Sequence, residues 1–92
     1  MKILTEFFPR VVAISRHAST DRRAAMVANL HATGVMGRNR PEWFDAIEPA
    51  EVPSGWFWSA GELGCRESHL AILATIDRPT LILEDDAVFA PD

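Results

Sequence analysis

One cysteine is all that this 92-residue chain has, so Cys65 cannot close an internal disulfide. With its histidines scattered, the sequence also completes no zinc-ligand spacing. Long hydrophobic runs are missing as well: nothing approaches the ~20 apolar residues of a membrane span. The opening MKILTEFFPR has one lysine and a short apolar patch, but Glu6 interrupts it and no small-residue cleavage site follows, so a signal peptide is not expected. A cytoplasmic location is the default that follows. Basic charge is scarce too: the net charge is −4, with the acids gathered toward the C-terminal half, so a nucleic-acid backbone is a poor partner. There is no internal repeat, low-complexity tract or linker, and the length suits one small domain spanning residues 1–92.

What is present reads as alternating strands and helices. Arg10-Val-Val-Ala-Ile-Ser15 is a nearly continuous apolar run with β-branched residues, as suits a strand covered on both faces. Ser19 or Thr20 offers an N-cap, Met26, Val27 and Leu30 recur at helical spacing, and Gly34 is a natural stop, which predicts a helix over 20–33. Trp43 to Ile47 reads as a second strand, and Pro49, Pro53 and Gly55 mark a loop carrying the bulky patch Trp56-Phe57-Trp58.

Ser59-Ala-Gly-Glu62 fits a capping box and opens a second helix. Along it, Leu63, Leu70, Leu73 and Ala74 form one apolar stripe and Cys65, His69, Ile72 and Ile76 another, which predicts a largely buried helix ending at Asp77-Arg-Pro79. Thr80 to Glu84 is the last strand. The expected fold is therefore an α/β open sheet, at least partly parallel, of about three strands and two helices.

The acidic run Glu84-Asp85-Asp86 closes that last strand, where mutual repulsion is worst. Two like charges about 4 Å apart repel by roughly 4 kcal/mol at an effective dielectric near 20. A bound cation, open solvent, a raised pKa or a neighbouring arginine would each relieve it. If extended geometry persists to Asp86, Glu84 and Asp86 point to one side about 6.6 Å apart and Asp85 to the other. Two carboxylates on one side can ligate a hard divalent ion; a solvated acidic turn is the plainer alternative.

In open α/β sheets ligands bind beyond the carboxyl ends of the strands. Both the acidic run and the Ser15-Arg16-His17 turn belong there. Arg22 and Arg23, at the start of the first helix, could grip phosphate with forked hydrogen bonds or be plain surface residues. His69 reads as a buried imidazole held by one hydrogen bond, and Glu62 as the capping-box carboxylate or a site residue. Cys65 is no candidate nucleophile, because no second histidine is placed to activate it. The three tryptophans read as core or loop packing.

The segment GELGCRESH (Gly61 to His69), followed after one helix by LILEDDA (Leu81 to Ala87), resembles glycosyltransferase family 25, the lipopolysaccharide-biosynthesis and procollagen galactosyltransferase group. Members carry a GE-x-GC-x-x-SH stretch and then an apolar strand ending in EDD. The opening is similar as well: a V-x-x-I-S strand, a turn, and D-R-R leading into a helix with Met at its middle (Val11 to Met26). The resemblance covers about Val11 to Phe89. It implies a GT-A-like (Rossmann-like) fold and transfer of a sugar from a nucleotide-diphospho-sugar, such as a UDP-sugar, to a saccharide acceptor. It implies Mn²⁺ or Mg²⁺ as cofactor, with Asp86 as main metal ligand beside Glu84. Glu84 and Asp85 would contact metal, ribose or sugar, while Ser15, Arg22, Glu62 and His69 would belong to the donor site.

The family's domain continues beyond EDD, so the chain is expected to be its N-terminal, donor-binding half, a piece without complete transferase activity of its own, cytoplasmic with peripheral association at the inner face of the membrane and no span. Two rival readings come from other classes. One is a receiver-like Mg²⁺-binding domain, for which LILEDDAVF would be the opening strand. The other is a non-catalytic interaction module that forms oligomers through an exposed sheet edge.

Overall fold

The computed structural model describes residues 3–56 and 58–90. Phe57 of the aromatic patch lies outside them, as do the first two and last two residues. Three strands form one parallel sheet in the order β2-β1-β3. They are β1 (Arg10–Ser15), β2 (Glu42–Asp45) and β3 (Thr80–Glu84), with α2 (Thr20–Thr33) and α3 (Ala60–Leu73) as crossovers and a four-residue α1 (Leu4–Phe7) before them. The bounds of β1, α2 and β3 coincide with those read from the sequence. The short α1 was not anticipated; it is one turn, tied by the Leu4 amide to the Val35 carbonyl oxygen at 2.5 Å.

The uninterrupted apolar run of β1 has its explanation in this order. As the central strand it is paired on both edges, and its period-two alternation feeds two cores. Val11 and Ala13 pack with Met26, Leu30 and Met36 on the α2 face, whereas Val12 and Ile14 pack with Ile72 on the α3 face. The outer strands keep the same parity: Trp43, Leu81 and Leu83 join the α2 side, Phe44 and Ile82 the α3 side. Gly34 ends α2 at φ 69°, its amide bonded to the Leu30 carbonyl at 3.0 Å, a left-handed cap that favours a residue without Cβ. Ser19 occupies the N-cap position but makes no side-chain cap bond.

Three expectations need correction. The second strand is Glu42–Asp45 rather than Trp43–Ile47: the last bond to β1 runs from the Ala46 amide to the Ser15 carbonyl at 2.9 Å, and the Ile47 amide, facing α3, bonds to the Ser68 hydroxyl at 2.9 Å. The helix opening at Ser59 ends at Leu73, short of Asp77, and the chain then turns. Its burial also differs from the pattern read from leucines. The inward residues are Leu63, Gly64, Ser68 and Ile72, while Leu70 and Leu73 are 44% and 54% exposed and Ile76 is exposed too.

Small residues win that face because α3 lies against the segment after β2. A Cβ on Gly64 would overlap the Ile47 carbonyl oxygen, so only glycine permits this approach. Fully buried Ser68 completes the contact, donating to the Gly64 carbonyl at 2.7 Å while accepting from Ile47.

The segment after β3 is anchored from the other side. Asn29 on α2 donates to the Phe89 carbonyl at 3.0 Å and accepts from the Phe89 amide at 2.8 Å, mimicking a strand partner. Asn29→Ala is expected to destabilise the domain by about 1–2 kcal/mol. Amide exchange at Phe89 and Ala87 should accelerate more than at β1; equal acceleration everywhere would show that the anchor is not local.

Candidate functional site

The chain runs from β1 through α2 to β2 on one side, then through α3 to β3 on the opposite side of β1. The carboxyl ends of β1 and β3 therefore flank a topological switch point, where the two crossovers leave a crevice between them. A cleft of about 560 Å³ opens there, within the range of small-molecule sites. Among its lining residues are Ser15, Arg16, Arg22, Cys65, Glu84, Asp85 and Asp86. Five of these were read from the sequence as site residues. Glu62 and His69 are not in the lining.

Strand parity explains how the acidic run distributes itself. Glu84, the last residue of β3, faces the α3 side, where its Oε1 accepts a hydrogen bond from the Cys65 thiol at 3.1 Å. Asp85 faces the α2 side. There its Oδ2 accepts from the Ser15 hydroxyl at 2.9 Å, and its Oδ1 lies 3.4 Å from Nη1 of Arg22. Its side chain is only 13% exposed, so these contacts hold a carboxylate that is largely removed from water.

The strand does not stay extended to Asp86. The chain turns, with the Ala87 amide bonded to the Glu84 carbonyl at 3.0 Å, because Ala87 and Phe89 fold back onto the α2 core. Exposed Asp86 makes no hydrogen bond or ion pair among the described residues, and it lines the cleft. Repulsion within the run is thus relieved by divergence: one carboxylate on a thiol, one on a hydroxyl and an arginine, one toward the opening.

The two arginines of α2 separate in role. Exposed Arg22 lines the cleft. Arg23 turns inward to staple the ends of β1 and β2, its Nη2 donating to the Ser15 carbonyl at 2.9 Å and to Asp45 Oδ1 at 2.7 Å. Its guanidinium also lies over the Trp43 ring, 5.1 Å from the centroid. Its Nε is buried without a hydrogen-bond partner, so the side chain is held by Nη2 and the ring. Arg23 is therefore placed to shape the floor of the site and not to meet a ligand.

The Arg23 hydrogen bond, with nearby His17 and Arg23 charge, holds the Asp45 carboxyl below its ordinary pKa. A depressed folded-state pKa means stability that is present above the unfolded value near pH 4 and is lost as pH falls through the folded one. Asp45→Asn should therefore make the acid-unfolding limb below about pH 4 shallower. A pH titration followed by circular dichroism checks this, and an unchanged slope would refute it.

Ser59 caps α3 as expected, its hydroxyl accepting from the Glu62 amide at 3.1 Å. Glu62 itself is exposed on that first turn. His69 is half-buried, with Nδ1 2.8 Å from the Cys65 carbonyl oxygen and 3.7 Å from its sulfur. Cys65, expected inside, is exposed at the cleft wall. The Glu84 hydrogen bond, then desolvation and the Glu84 charge, push its thiol pKa up, which keeps it protonated and a weak nucleophile.

Sequence reasoning put Arg16 in the turn at the ligand edge without giving it a role; it missed the pairing of Arg16 with Glu48 at the cleft and the pairing of Cys65 with Glu84. The parity of β3 was the available signal for the second; nothing local signals the first. Among the described residues no helix is long and apolar enough to cross a membrane. No family model, no characterised protein and no solved structure matches the chain.

Proposed function

We propose that the cleft binds the diphosphate of a nucleotide-sugar and that the chain is the donor-binding half of a GT-A-like glycosyltransferase, similar to glycosyltransferase family 25. In that reading the sugar passes to a saccharide acceptor, as in lipopolysaccharide biosynthesis. The observation that carries it is the meeting of an acidic turn and two arginines, Arg16 and Arg22, in one cleft at the sheet's switch point.

The donor set fits a hard divalent ion shared with phosphate. Mg²⁺ and similar ions take one or two carboxylates and complete their shell with substrate oxygens and water. Asp86 is the carboxylate left without a protein partner among the described residues, and Glu84 and Asp85 stand on either side of it. Bound Mn²⁺ or Mg²⁺ would neutralise charge on the diphosphate. Arg22 holds Asp85 only at 3.4 Å with its head exposed, so it can turn to a phosphate oxygen, where a forked contact is stronger. Buried Ser15 keeps Asp85 in position beneath.

The test is Mn²⁺ titration with and without a uridine diphosphate sugar, followed through the amide signals of residues 84–86. Nucleotide-dependent perturbation that Asp86→Asn weakens at least about 10-fold supports the reading, a 10-fold change being ~1.4 kcal/mol. Metal and nucleotide that leave those signals unmoved would defeat it.

A second reading, an interaction module, is favoured by one observation. Leu70, Leu73 and Ile76 are exposed on or just after α3, and β2 and β3 are both outer strands. Concentration-dependent self-association, with no response to nucleotide, would support it. The receiver-like reading needs the acidic strand to open the fold, whereas here β3 follows two parallel strands.

A further inference from the structure

We propose that Cys65, His69 and Glu84 form a binding site for a borderline-soft divalent ion of the Zn²⁺ class, on the α3 wall of the cleft. The inference rests on this geometry alone and holds whether or not the cleft binds a nucleotide-sugar.

Cys65 and His69 are four residues apart on α3, so they stand on one face of a rigid helix. Glu84 reaches them from the end of β3 because strand parity turns it to that side. One donor atom from each of the three lies within 4.8 Å of the others. In a tetrahedral zinc site, bonds of 2.0–2.3 Å give donor-to-donor edges of about 3.3–3.7 Å. The Cys65 sulfur to Glu84 Oε1 distance, 3.1 Å, is already close to such an edge, and one imidazole nitrogen lies within 4.8 Å of both.

The ring is also oriented in advance. Its Nδ1 sits 2.8 Å from the Cys65 carbonyl oxygen, the kind of partner that fixes a metal-binding imidazole and leaves its other nitrogen available. Donor chemistry selects the ion: thiolate and imidazole favour Zn²⁺ over Mg²⁺ or Mn²⁺, which prefer oxygen. On binding, the thiol gives its proton to solvent and the sulfur takes the metal in its place. Cys65 and Glu84 both line the cleft, so three protein ligands leave a fourth position open toward it, the pattern of sites that bind water or a ligand oxygen. Glu84 then serves this ion, while Asp86 remains for a hard cation.

The test titrates the full chain with Co²⁺, followed by displacement with Zn²⁺. The expected result is a thiolate-to-cobalt charge-transfer band with the absorption of tetrahedral cobalt, absent in Cys65→Ser. His69→Asn and Glu84→Gln should each weaken Zn²⁺ binding by more than about 10-fold, since even outer-shell changes cost 10–100-fold. Amide dispersion confirms that each variant is folded; these side chains are exposed or half-buried, so folding is expected to survive. Co²⁺ binding without the charge-transfer band, or Zn²⁺ affinity unchanged in Cys65→Ser, overturns the proposal. Mn²⁺ and nucleotide responses that depend on Asp86, in a chain showing neither zinc nor cobalt signature, overturn it while leaving the donor-site reading intact.

Discussion

Gly64→Ala is expected to destabilise the domain by about 3 kcal/mol, at the upper end of the overpacking range. The added methyl would overlap the Ile47 carbonyl oxygen and press on Pro49 Cδ at 3.1 Å. Neither neighbour can swing aside as a flexible side-chain tip would. Alanine's better helix propensity offsets only about 1 kcal/mol of that cost. Against a total of roughly 5–15 kcal/mol for a domain, the loss is a large fraction. Because Ala46, Ile47, Glu48 and Pro49 line the cleft, the strain should also reach the site. Urea denaturation of Gly64→Ala beside Gly61→Ala separates the effects, since Gly61 is exposed and meets only the Ser59 hydroxyl at 3.7 Å. Equal stability of the two variants would refute the close-approach argument.

Arg23→Met is expected to lower stability by about 2–3 kcal/mol. Methionine keeps much of the apolar stem but loses the charge-assisted bond to the Ser15 carbonyl and the contact over Trp43. Ser15 carries the hydroxyl that holds Asp85, so loosening the end of β1 should also loosen the acidic turn. Thermal unfolding gives the first effect. Faster amide exchange at residues 84–86 gives the second. Arg22→Met serves as the contrast: its guanidinium is 67% exposed, and its loss should leave stability nearly unchanged while weakening any anion binding in the cleft. If the two variants behave alike, the division of labour between these neighbours is wrong.

The contrast between Arg22 and Arg23 shows what a linear sequence conceals. Adjacent on α2, they were indistinguishable as phosphate ligands until the position of Trp43 and Asp45 drew one of them inward. The same holds for α3. Leucine spacing predicted a buried Leu70 and Leu73, but the helix presents Gly64 and Ser68 to its neighbour, because close approach to the Ile47 carbonyl requires small residues there. Just past β2, a side chain distant in sequence, Ser68, accepts from the Ile47 amide, a contact that no local stretch signals. The Asn29 clamp on Phe89 is likewise a long-range pairing with no local signature.

By itself the sequence determined the elements whose signals are local. The β-branched run of β1, the glycine stop of α2, the Ser59 cap of α3 and the apolar approach to Glu84 each depend on residues a few positions apart, and each forms where expected. Strand parity, another local property, was enough to send Glu84 and Asp85 to opposite faces. Tertiary structure alone decided the rest: that β3 pairs with β1 across from β2, and hence that Glu84 meets a thiol and an imidazole while Asp85 meets a hydroxyl and a guanidinium. Strand order is set by how two helices cover opposite faces of one sheet, a balance of packing over the whole chain that no short stretch encodes.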